Sequence, residues 1–131
     1  MKKKLLFTCL IGLISVTSAY AACDGGTEVT NTAGTTFCKS NVVMNWWSAA
    51  AWCKANKMQL ATMYEMCPSW DGGGGCSELS GVGRGTVWSA TVLRNDLAFA
   101  VGLHDGIVND SYFSEGRYGR NNVNASSAFC K

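Results

Sequence analysis

Six cysteines set the terms on which this chain folds. Of the seven in the sequence, Cys9 falls in an N-terminal stretch laid out like a secretory leader: Lys2, Lys3 and Lys4, an apolar run from Leu5 to Val16, then Ala19-Tyr20-Ala21 as an A-x-A cleavage signal. The run is too short to span a bilayer. Residues 1–21 are therefore expected to be a signal peptide and 22–131 the working domain, exported to the periplasm, cell surface or extracellular space. Lipoprotein processing at Cys23 is the rival reading of the leader, but Tyr20 stands where that signal wants Leu.

In an oxidising compartment the remaining Cys23, Cys38, Cys53, Cys67, Cys76 and Cys130 read as three disulfides. Fifteen connectivities exist in principle, and local spacing favours one. Cys67 and Cys76 bracket PSWDGGGG, a loop flexible enough to close on itself, and Cys23 and Cys38 bracket a hairpin pattern, TEVT-NTAG-TTF. Cys53 and Cys130 are then left for each other. Zinc is the competing use of cysteine, but the chain has no C-x-x-C pair and its one histidine is His104, so no metal and no cofactor are expected.

Loss of the leader also removes three lysines. The formal net charge of +2 becomes about −1, with eight basic against nine acidic residues. No basic stripe remains to attract nucleic acid, and no second apolar run suggests a membrane span. About 109 residues suffice for one core and exclude a second domain.

Asn45 reads as the N-cap of a helix in which Trp46, Ala49, Ala50 and Cys53 form one stripe, with Trp47 and Trp52 on its flanks. Asn56 and Lys57 end it, Asn56 being suited to the left-handed conformation past a helix end. Gln59 to Met63 alternates like a short strand, and Met63 to Met66 fits one helical turn before Pro68. From there to Arg84 the glycine runs DGGGG and GVGRG demand loop. Strands are predicted over Thr86–Val92, Leu97–Leu103, Ile107–Phe113 and Ala125–Cys130, with turns at Arg94-Asn95-Asp96 and His104-Asp105-Gly106 and a polar loop from Ser114 to Asn124. The layout is α+β: an N-terminal hairpin, one main helix, and an antiparallel meander.

Trp46, Ala49, Cys53, Leu60 and Ala61 resemble the first helix of the C-type lectin-like domain and the element after it. Trp88-Ser89-Ala90, Ala98 to Val101, Asp105-Gly106 and the ending Ser127-Ala128-Phe129-Cys130 are similar to the core strands of short bacterial members. The likeness runs from about Phe37 to Lys131 and implies that family's fold, whose characteristic disulfide joins the helix to the last strand. Sugar-binding members coordinate calcium through a proline-containing triplet and a later Trp-Asn-Asp triplet. Pro68 is the only proline here, and Arg94-Asn95-Asp96 sits in a tight turn. The resemblance thus implies a short form without the calcium-binding long loop.

Catalysis is not expected. His104-Asp105 has no nucleophile assignable beside it once every mature cysteine is bridged. The aromatics are the better lead. Trp46 and Trp88 are assigned to the core and Trp47 is expected to cover the N-terminal hairpin. Trp70 and Asp71, in the glycine loop, are candidate ligand contacts, together with Tyr112, Arg117, Tyr118, Arg120 and Asn122 from the contact-rich stretch YFSEGRYGRNNVN. The expected function is a secreted or surface-displayed recognition module that binds glycan or protein without calcium. The alternative is a structural subunit of an envelope or appendage assembly, its aromatics packed between copies.

Overall fold

The computed structural model of the chain describes residues 23–113 and 126–131. They form a small α+β domain built on a six-stranded sheet, with one main helix and three disulfides.

The hairpin pairs β1 (Gly26–Thr30) with β2 (Thr36–Met44). Its turn is set by Asn31, whose Oδ1 accepts from Thr35 N–H at 2.8 Å while its Nδ2 donates to Met66 O at 2.9 Å, so a buried amide is satisfied on both sides. Gly26 leaves room for the Cys23–Cys38 bridge: a Cβ there would collide with both sulfurs.

Helix α1 (Trp46–Ala55) starts where expected, with Asn45 Oδ1 accepting from Ser48 N–H at 2.8 Å. Its end corrects the sequence reading in one residue. Asn56 stays near the helical region, its Nδ2 donating to Trp52 O, and Lys57 takes the left-handed conformation at φ 58°. The Met58 N–H then reaches back to Cys53 O at 2.9 Å, closing the end of the helix.

The predicted strand over Gln59–Met63 shrinks to a bridge at Leu60 opposite Cys130, flanked by two hydrogen bonds exchanged between Gln59 and Lys131. The reason is local. Thr62 caps α2 (Met63–Met66) through a capping box in which Thr62 Oγ1 accepts from Glu65 N–H and Glu65 Oε1 accepts from Thr62 N–H, so Met63 is already helical. A short 3₁₀ turn over Ser77–Leu79, not foreseen, interrupts the glycine-rich stretch and buries Leu79.

β3 (Thr86–Arg94), β4 (Leu97–Gly102) and β5 (Val108–Tyr112) make the expected antiparallel meander. The last strand, β6 (Ser126–Cys130), does not extend it. It inserts between β2 and β3, antiparallel to β2 and parallel to β3 at Val87 and Ser127, giving the order β1-β2-β6-β3-β4-β5. Every residue of β6 is buried, as a central strand covered on both faces must be.

Neighbouring strand residues point to opposite faces, and two cores result. On one face Phe37 stacks on Phe129 at 4.6 Å, with Met63, Met66, Leu79, Val87 and Val101 around them. On the other, α1 lays Ala49 and Cys53 against Trp88, Ala98, Ala100, Ala128 and Cys130. α1 packs chiefly on β6, where Ala128 leaves space for it, and Cys53–Cys130 fixes it there with Cα atoms 5.5 Å apart.

Candidate functional site

The glycine loop, closed by Cys67–Cys76, places Trp70 inward, contrary to the expectation that its ring is offered to a ligand. Only 8% of Trp70 is exposed. Its Nε1 donates to Gly73 O at 2.9 Å and its ring packs edge-on against Phe99 and tilted against Tyr64. The cause is the loop's composition: with no apolar side chain of their own, the glycines wrap the nearest large one. Asp71 is exposed, its Oδ1 taken up by Gly73 N–H at 2.9 Å.

Tyr112 is 42% exposed and ends β5 opposite Leu97. The glycine loop meets the other end of that strand, where Val108 N–H donates to Gly74 O. Four residues of strand, roughly 13 Å, separate the two groups, so they do not form one patch. Arg117, Tyr118, Arg120 and Asn122 lie outside the described residues.

The exposed tryptophan is Trp47, at 62%, where coverage of the hairpin was expected. Trp46, beside it in the first turn of α1, is half-buried. It stacks on Phe113 at 4.4 Å and 15°, donates from Nε1 to Ser89 O at 2.8 Å, and its backbone N–H reaches Phe113 O. Trp47 stands edge-on to both rings, 5.0 Å from Trp46 and 5.5 Å from Phe113. A large aromatic surface is thereby held in place while open to solvent. Val42 and Val43, just before the helix, are also more than half exposed.

This cluster stands where the chain leaves the described structure after Phe113 and close to where it returns. Ser126 pairs with Met44, two residues before Trp46, and Met44 O accepts from Trp88 Nε1 at 2.7 Å. The sequence does place Trp47 off the helix's core stripe. It gives no sign that nothing from the hairpin would cover it.

His104 is exposed in its turn, and Asp105 Oδ1 accepts from Ile107 N–H. Arg94, which ends β3 where a turn residue was expected, pairs through Nε with Asp96 Oδ1 at 3.0 Å in the Asn95-Asp96 turn that follows. Cys67, Cys76 and Glu78 come within metal-ligating reach of one another, but both sulfurs are spent in the bridge, and Glu78 accepts from Ser69 N–H and Ser77 Oγ. All six described cysteines are bridged, and no helix among the described residues is long and apolar enough to cross a membrane.

Searched against models of known protein families and against curated protein sequences, the chain matches none.

Proposed function

We propose that this is an exported recognition module of short C-type lectin-like architecture, binding a glycan or protein ligand without calcium through the surface around Trp47. The observation that carries the reading is the exposed, edge-braced indole of Trp47 on a frame held by three disulfides. A rigid aromatic face loses little entropy on binding, and sugar C–H groups and apolar side chains both pack on it. Support for the architecture comes from the helix-to-last-strand bridge, Cys53–Cys130, and from the hairpin beside it. Three disulfides in so small a domain are consistent with export. The reading without calcium is supported by the lack of a proline triplet and by Asn95-Asp96 forming the tight β3–β4 turn directly after Arg94.

The edges of the sheet favour recognition of another molecule over self-assembly. β1 and β5 are the edge strands, and each carries an exposed carboxylate, Glu28 and Asp110, which opposes pairing with a second copy.

A glycan array probed with the mature protein tests the reading. Binding should survive chelation of calcium and fall at least about tenfold in Trp47→Ala, the loss of one well-used aromatic contact, with Trp70→Ala instead lowering stability. Array signal that is indifferent to Trp47→Ala removes this surface. Concentration-dependent assembly in sedimentation would move the domain to the structural-subunit class.

A further inference from the structure

Two of the three bridges lie side by side. In the β2–β6 register Cys38 stands directly opposite Cys130, yet each is bonded to a different partner, Cys23 and Cys53. Opposed residues of an antiparallel pair point to the same face with Cα atoms about 4.5–5.5 Å apart, within the roughly 4.4–6.8 Å that a disulfide spans. All four cysteines belong to the core beneath α1, whereas Cys67 and Cys76 belong to the core on the opposite face.

Access to the four cysteines differs. Cys53 and Cys130 are fully buried, while Cys23 and Cys38 retain 7% and 5% exposure and line a cavity of about 240 Å³ that reaches Cys130. Its charged walls are Lys131, which favours a thiolate, and Glu28, which opposes one.

We propose that these cysteines form a thiol–disulfide relay, with Cys38–Cys130 as the alternative bridge through which an external dithiol opens the buried clasp on α1. A thiolate of the dithiol attacks Cys23 Sγ, breaking Cys23–Cys38 and leaving Cys38 as thiolate and Cys23 in a mixed disulfide. Cys38 then attacks Cys130 Sγ. The Cys38–Cys130 bond forms, Cys53 leaves as thiolate, and it takes a proton from solvent. The second sulfur of the dithiol displaces Cys23 as a thiol and leaves as the oxidised dithiol. Two electrons have entered and the protein has one bridge fewer. β2 and β6 end covalently joined, and α1, which carries Trp46 and Trp47, is no longer covalently tied to the sheet.

The test uses the mature protein under native conditions with one molar equivalent of dithiothreitol, acid quench, alkylation and non-reducing peptide mapping. The relay gives a Cys38–Cys130 linked peptide, alkylated Cys23 and Cys53, and an intact Cys67–Cys76 bridge. Alkylation of Cys23 and Cys38 with Cys53–Cys130 intact overturns it, as does the absence of any opening without denaturant. A Cys53→Ser variant gives a second reading: the free thiol should appear at Cys23, because Cys130 displaces it from Cys38. A thiol confined to Cys130 would show that the two bridges do not communicate.

Discussion

Gly106 is held by two separate constraints. Its φ of +69° lies in the region that L side chains avoid, and a Cβ built there would run into Cys76 O and approach Ser80 Cβ to 3.1 Å. The position also joins the loop to the meander, since Cys76 N–H donates to Gly106 O at 2.7 Å. Gly74, in the DGGGG run, has open space around its missing Cβ and no positive φ. Gly106→Ala should therefore cost at least about 2 kcal/mol, combining left-handed strain with displacement of the Cys76 backbone, while Gly74→Ala should be close to neutral. Urea melts of the two variants check this, and equal midpoints would contradict it. Asp105-Gly106 was legible as a turn from its residue types alone. Which of the many glycines is irreplaceable was not, because that depends on the Cys76–Ser80 segment, far from it in sequence, that packs against it. The same limit explains Trp47 and Trp70: composition marks both as large aromatic groups, and only the tertiary neighbours decide which is covered.

Helix α1 was readable nearly to the residue because its signals are local: a cap at Asn45 and a stripe through Ala49 and Cys53. The Gln59–Met63 segment misled because polar–apolar alternation was produced there by two devices in succession, a bridge at Leu60 and a helix cap at Thr62. The cap has a consequence for pH. Partial burial pushes the Glu65 carboxyl up, but the hydrogen bond it accepts from Thr62 N–H and the Lys131 charge paired with it at 3.4 Å outweigh that and hold it below the ordinary carboxylate value. A group lowered on folding stabilises the protein above its unfolded pKa, about 4.3 for Glu, and that contribution is lost as pH falls through the folded value. Wild type should thus be slightly more stable than Glu65→Gln at neutral pH, and the difference should vanish in strong acid. Denaturant titrations at about pH 7 and about pH 2 are the measurement, and a gap that persists or widens in acid would reverse the assignment.

The insertion of β6 between β2 and β3 could not be read from local pattern, since strand order is decided by pairings between residues far apart in the chain; Met44 meets Ser126 and Cys38 meets Cys130. The cysteine pairing was legible because two short loops left only one pair over, and that pair now carries the longest covalent constraint in the molecule. Cys53–Cys130 spans a sequence separation of 77, against 9 for Cys67–Cys76. In the chain-entropy treatment the former restricts the unfolded state by about 4.5 kcal/mol and the latter by about 2.6 kcal/mol. Removing the long bridge also opens a void under α1, because both its sulfurs are fully buried between Ala49, Trp88 and Ala128. Cys53→Ala/Cys130→Ala should therefore lose more stability than Cys67→Ala/Cys76→Ala, by at least about 2 kcal/mol, with the helix the first element to exchange its amide protons. Equilibrium denaturation of both double variants, paired with hydrogen exchange along α1, separates the outcomes. Similar losses for the two, or protection of α1 equal to that of β6 without its bridge, would mean that packing of Ala49 and Trp46 against the sheet fixes the helix on its own.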